Sequence, residues 1–499
     1  MLRRVPLLVV VAAGMALSMA VPALHAVARD DHSDARAFTY WAVIGLAIVG
    51  VVGLATARRD EERHTRDQLL ALVGTFALLP LLAAAPLSEA VPDTRFVNLY
   101  IEMTAALTTT GGSLYEPDRL SSTVHLWRAL VGWQGGLVIW IAAVAILAPL
   151  RLGGFEVTWS AARGQSARLS AQIQAAAPGQ RVRRYGATLA PVYAGLTLVL
   201  WGALSASGME PSEAAIRAMA TMSTSGIVGA GEAPGIAGEV AIFLFLCFAV
   251  TRLSFAADLH RGQFSRLATD RELRLAAAIV GGVTAALLAR HWIGAVELRG
   301  AEEVVEGWGA ALRAAWGTAF TVLSFLTTTG YESAEWTTAR AWSGLDTPGV
   351  LLVGLAVIGG GVATTAGGVK LLRVYALYAH GRHEMDVLVH PHSVGAHSRL
   401  ATHLPSSGVE AAWVFFMLFA VSIAGTTLGL GATGLDFRAA LVLAIATLTT
   451  CGPLVAVALE GGAAVLDDGA KAIVTAAMIV GRLEALALIA LFNPAIWRR

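Results

Sequence analysis

Apolar stretches free of charge recur along this chain, and that recurrence leaves few folds open to it. Residues 240–250 and 413–423 hold no Asp, Glu, Lys or Arg, and similar runs lie throughout the 499 residues. About 20 apolar residues make a helix that crosses a bilayer. Inside lipid every backbone polar group must be satisfied within the protein, which favours helices. Charged residues are only 14% of the chain, against about 25% in soluble domains. The expected class is an all-α polytopic membrane protein.

Spanning helices are expected near residues 5–27, 38–57, 67–85, 123–149, 187–206, 238–257, 273–293, 347–378, 409–430 and 469–492. Shorter segments near 97–107, 211–223, 310–326 and 436–448 suit re-entrant half-helices. The first apolar run, behind Arg3 and Arg4, reads as a retained helix, with a cleaved signal peptide as the alternative. The net charge of +1 shows no nucleic-acid footprint. Cys247 and Cys451 form neither a metal spacing nor a disulfide framework.

The connecting segments divide by charge. Basic ones hold Arg58, Arg59, Arg63 and Arg66, then Arg151 to Arg184, Arg261 to Arg274, Lys370 to Arg399, and Arg498 with Arg499. Acidic ones hold Glu116 and Asp118, Glu210 and Glu213, Glu297 to Glu306, and Asp467 with Asp468. The positive-inside rule places the basic set in the cytoplasm, so each half-helix hangs from the external side.

A polar phrase then repeats at equivalent places: LTTTG ending at Gly111, MSTSG at Gly226, LTTTG at Gly330 and LTTCG at Gly452. Each follows a short helix and precedes a longer one. Threonine and glycine are common in membrane helix packing, but four matching positions argue for a repeated unit of helix, half-helix, loop and helix. Non-helical backbone at membrane depth is tolerated where it lines a watery cavity. Loops of this kind around one axis form oxygen rings that can replace a cation's hydration shell, and each half-helix directs its partially negative end inward. The filter residues expected are Thr109, Thr110 and Gly111; Thr224, Ser225 and Gly226; Thr328, Thr329 and Gly330; and Thr450, Cys451 and Gly452.

In these phrases the chain resembles the TrkH/KtrB-type potassium uptake proteins, single chains of four potassium-channel-like repeats. NLYIEMTAALTTTG, WQGGLVIWIAAVAILAPL, GGGVATTAGGVKLLR and GRLEALALIALFNPAIWR carry the resemblance, which spans nearly everything after residue 35. Two extra N-terminal helices fit the TrkH branch. The resemblance implies residues 1–60 as those helices and pore repeats over 61–155, 156–262, 263–385 and 386–499. It also implies potassium uptake across a bacterial inner membrane, potassium held by filter carbonyls, a homodimer, and a cytosolic nucleotide-binding ring of the TrkA/KtrA kind. Regulatory nucleotide would sit on that partner: AGGVK is too short for a phosphate loop. The basic stretches 151–184 and 370–403 are the candidate docking surfaces. STSG and TTCG depart from the family pattern and bear on fine selectivity.

Gly359, Gly360, Gly361, Thr364, Thr365, Gly367 and Gly368 interrupt the helix expected at 347–378. Each glycine costs about 1 kcal/mol in a helix relative to alanine, so a broken helix is expected there, or else close packing through small residues. The broken helix would form an intramembrane gate loop below the filter, ended by Lys370, which could equally be an ordinary cytoplasmic anchor. Arg482 lies in an apolar helix, two residues from Glu484 and so on another face; it is expected to face the pore as a cation barrier. Glu102 is read as structural. The histidines from His380 to His403 match no zinc spacing and read as a solvated loop. No protease or hydrolase motif is present, so the chain is not expected to be an enzyme. The alternatives are a sodium-permeable pore and a cation-coupled secondary transporter with broken helices.

Overall fold

The computed structural model describes residues 7–56, 65–147, 178–251, 270–298, 308–345, 348–362, 364–389, 406–459 and 462–484. Among these there is no strand. Eight helices are long and apolar enough to cross a membrane by length and composition. Apolar residues on their outer faces are open to the surroundings, as at Leu17, Leu54, Leu198 and Leu428, the arrangement lipid requires.

The N-terminal hairpin is Leu7–Ser18, Ala20–Ala28 and His32–Thr56. Its first arm, expected as one helix at 5–27, breaks at Met19, three residues ahead of Pro22, which lacks an N–H and crowds the preceding turn. The hairpin packs on Thr65–Ala84 and Ser122–Ala142. It is fastened by His25 Nδ1 and Thr123 Oγ1 at 3.0 Å and by the Ser121 hydroxyl donating to Asp34 at 2.6 Å.

The short helices are Phe96–Leu107, Pro211–Ser223, Trp308–Leu326 and Phe437–Leu448. Each runs inward and ends at one of the repeated phrases. The third is longer than expected, and Gly309–Leu326 qualifies as a span by length; its end at the same inner position as the others is what marks it. The helix expected at 347–378 is broken into Gly349–Ile358 and Leu371–Val389. The helix expected at 469–492 runs only from Asp468 to Leu483, with Glu484 at φ 57°; residues 485–499 lie outside the described residues.

The long helices after the first and fourth phrases meet the short helices at single glycines. A Cβ at Gly135 would fall on the Leu107 carbonyl oxygen, and one at Gly481 on that of Leu448. Both partners are the last residue of their short helix, so these contacts fix where a loop begins. Gly135→Ala and Gly481→Ala overpack the contact at a cost of about 1–3 kcal/mol. We expect each to lower the thermal midpoint of the detergent-purified protein, while Gly50→Ala, with nothing within 4 Å of the added methyl, leaves it unchanged.

Candidate functional site: a ring of four loops

The four phrases occupy the buried centre of the protein. Thr108, Thr109, Thr110, Thr327, Thr328 and Thr329 are fully buried, as are Ser225 and Cys451. Every loop leaves its helix in the same way. Thr110 N donates to Ala105 O, Ser225 N to Ala220 O, Thr329 N to Ser324 O and Cys451 N to Ala446 O, all at 2.8 to 2.9 Å. This six-to-one bond is the helix ending that places the intervening residue in the left-handed region, normally glycine. Here it is threonine: Thr109, Thr224, Thr328 and Thr450 have φ of 55°, 51°, 58° and 53°. A β-branched residue there is strained by about 1–3 kcal/mol. Sequence reasoning marked the glycines and missed this strain. The available signal was that threonine two places before the glycine is identical in all four phrases.

The loops touch one another in a single rotational sense. A Cβ at Gly111 would fall on the Ser225 carbonyl oxygen, and one at Gly226 on that of Thr329. One at Gly330 would meet the Pro453 ring at 2.6 to 2.9 Å, and one at Gly452 would strike Gly112 N and Thr110 O. The circle closes with Gly452 N donating to Thr110 O at 2.7 Å. Gly111, Gly226 and Gly330 have φ of 78°, 66° and 79°. Gly452 differs: it lies outside the left-handed region and starts a 3₁₀ turn through Pro453, so its need for glycine is close approach alone.

Buried side chains brace the far leg of the first and third loops. In the first repeat Glu102 accepts from Leu114 N at 2.9 Å, and its Oε1 lies 2.6 Å from Arg128 Nε. In the third, Thr321 Oγ1 takes the same role toward Ser333 N at 3.2 Å. The expectation that Glu102 is structural fits this geometry. Glu239, not singled out in the sequence, accepts from Trp316 Nε1, the Ser333 hydroxyl and Ala334 N at 2.7 to 2.8 Å. A carboxylate from the helix Ile236–Val250 after the second phrase thus positions the third loop. At the rim Arg95 and Asp468 join the first and fourth repeats, with Arg95 Nη1 3.0 Å from Asp468 Oδ2; the hydrogen bond from Arg95 holds that carboxyl below the ordinary carboxylate range.

Below the ring lies the glycine-rich loop. Its neck is clasped by Val369 N to Val357 O and Lys370 N to Ile358 O, both 2.9 Å, and by Leu371 N to Gly360 O at 3.0 Å. Gly359 and Gly368, at φ 76° and 77°, face each other across the neck; a Cβ on either would reach within 2.8 Å of the other's Cα. Gly361 N donates to Ala249 O, Thr364 Oγ1 to Gly361 O, and Val362 N to Glu272. Lys370 is buried and donates back to Ala366 O, so it is not an exposed cytoplasmic anchor.

The hydroxyls of the four left-handed threonines meet this loop and Arg482. Arg482 Nη1 lies 2.8 Å from Thr109 Oγ1 and 3.5 Å from Thr450 Oγ1, while Nη2 donates to Thr365 O at 2.7 Å. Thr224 Oγ1 is 3.2 Å from Thr365 Oγ1, and Gly367 N donates to Thr328 Oγ1 at 2.8 Å. Arg482 therefore sits between ring and loop. Glu484 pairs instead with Arg373 at 2.6 Å, in keeping with the separate faces read from the sequence. No cluster of potential metal-ligating residues occurs among the described residues, and His380 lies 3.8 Å from Glu384 on the surface; residues 390–405 are outside the described set.

Fold and site together define a multi-pass membrane protein built on a central ring of re-entrant loops. Residues 288–499 match the TrkH family of cation transport proteins. The chain is 29% identical to the Trk system potassium uptake protein TrkH of Escherichia coli K12 over 506 aligned residues, covering 99% of this chain and 98% of that one. It is 28% identical to the Trk system potassium uptake protein TrkI of Halomonas elongata, covering 97% and 94%. The crystal structure of the potassium transporter TrkH from Vibrio parahaemolyticus superposes with a TM-score of 0.80 at 25% identity, covering 99% of each chain. The TrkH-type resemblance read from the sequence is borne out over the whole chain, on the TrkH branch, and the protein is a multi-pass protein of the bacterial plasma membrane.

Removing Glu102 leaves Arg128 buried without its counter-charge, a loss of about 3–5 kcal/mol for such pairs. We expect Glu102→Ala to lower the melting temperature sharply and the double variant Glu102→Met with Arg128→Leu to recover part of it.

Proposed function

We propose that the chain is the potassium-conducting subunit of an uptake system, with the four-loop ring as its ion filter and the glycine-rich loop with Arg482 as its gate. The observation that carries this reading is ring closure: four buried loops of like handedness, each with its glycine against the next loop. The amides of Thr110, Gly111, Ser225, Thr329, Gly330 and Cys451 are turned back to the short-helix ends, and that of Gly452 to Thr110 O, which leaves the other backbone carbonyls as the polar groups available to a dehydrated cation. The names of the relatives, potassium uptake proteins of Trk systems, supply the cargo. A secondary transporter with broken helices is expected to show inverted or paired repeats; four loops in one rotational sense favour a pore.

The gate follows from the contacts below the ring. The loop and Arg482 together engage all four left-handed threonines, and a guanidinium there opposes cation passage. Uptake of rubidium by proteoliposomes tests the whole reading. Wild-type protein should take up rubidium, Gly330→Ser should abolish uptake, and shortening the 361–366 loop or Arg482→Ala should raise it. Absence of uptake by correctly inserted wild type refutes the pore; lower uptake in both gate variants refutes the gate.

A homodimer and a separate nucleotide-binding regulatory ring complete the proposal. The Trk system naming of the relatives supports membrane-associated partners. The exposed Arg183 and Arg184 and the extension Leu371–Val389 are the described parts of the candidate docking regions; residues 148–177 and 390–405 lie outside the described set.

A further inference from the structure

Three of the four loops carry a brace that the fourth lacks. In the first, the hydroxyls of Thr108 and Thr110 lie 2.9 Å apart; in the second, those of Ser223 and Ser225 lie 3.0 Å apart; in the third, those of Thr327 and Thr329 lie 3.1 Å apart. The first hydroxyl of each pair also donates into the short helix: Thr108 to Thr104 O, Ser223 to Met219 O and Thr327 to Leu323 O. In these three loops the residue just before the filter glycine is thereby tied through its side chain to the helix behind it.

Thr449 begins the same arrangement, donating to Ile445 O at 2.7 Å. Two residues on, however, stands Cys451, fully buried. A thiol is a weak donor and a weak acceptor, so the fourth pair has no second hydroxyl. The backbone differs as well. Gly111 N and Gly330 N return to their own helices, at Ala105 O and Ser324 O, but Gly452 N donates across the ring to Thr110 O at 2.7 Å. Gly452 also lacks the left-handed φ of the other filter glycines.

From these observations we infer that the fourth loop is the compliant quadrant of the ring and that Cys451 is a positioning residue for potassium over sodium. The inference rests on the reading of the ring as a cation filter. Discrimination by carbonyl oxygens requires that they resist closing in on the smaller ion. A loop without its hydroxyl brace yields more readily. Because the Thr110 carbonyl is hydrogen-bonded to Gly452, movement of the fourth loop carries part of the first with it.

The test compares rubidium and sodium uptake by the same proteoliposomes. Cys451→Thr makes the fourth phrase LTTTG, like the first and third, and Cys451→Ser supplies the hydroxyl without added bulk. Both should lower sodium uptake relative to rubidium by roughly fivefold, the factor for one net hydrogen bond of about 1 kcal/mol. Cys451→Ala, with no hydroxyl, should not. The converse variant Thr329→Cys should raise the ratio, and it decides the matter if the Cys451 variants fail to insert. Wild type without rubidium uptake defeats the filter reading itself. Wild-type uptake with an unchanged ratio in Cys451→Ser and Thr329→Cys defeats this inference alone.

Discussion

Everything in this protein is arranged around four stretches of backbone that touch where no side chain fits. Gly111 lies against the Ser225 carbonyl, Gly226 against that of Thr329, Gly330 against Pro453 and Gly452 against Thr110. Polar backbone buried at membrane depth is costly unless each group has a partner. The loops meet that requirement by giving most of their amides to the short-helix ends, which caps helices that would otherwise end with orphan carbonyls, and the Gly452 amide to Thr110 O. The surrounding helices then serve to hold these ends in register, through contacts as tight as Gly135 on Leu107 and Gly481 on Leu448.

The same geometry joins the ring of loops to the glycine-rich loop below it. Turning each loop at a left-handed threonine is unfavourable for a β-branched side chain, yet it aims the hydroxyls of Thr109, Thr224, Thr328 and Thr450 at the glycine-rich loop and Arg482. Hydrogen bonds there offset part of the strain. Release of the loop would leave these hydroxyls to find other partners, so the two elements respond to one another by direct contact. Glu239 and Glu102 act from the opposite side, fixing the outer legs with buried carboxylates.

Much of this was legible in the sequence, because hydrophobic length and charge asymmetry are one-dimensional signals. The short helices, the four glycines and the interrupted helix at 359–368 all fell where the apolar runs and glycine clusters placed them. What escaped was set by tertiary contact. Threonine in the left-handed region contradicts local propensity, and only the ring makes it tolerable. Glu239 stood at the edge of an apolar run as if incidental, since its donors at Trp316, Ser333 and Ala334 belong to the next repeat. The early end of the last helix at Leu483 was hidden by apolar residues that continue in sequence beyond Glu484.

The central claim is that these loops enclose a path for a dehydrated cation. Anomalous diffraction from crystals grown with rubidium or thallium tests it most directly. The account predicts ion density on the axis of the ring, within coordinating distance of carbonyl oxygens from all four loops. Loops folded as described, with bound ions only at other places in the protein, would contradict it.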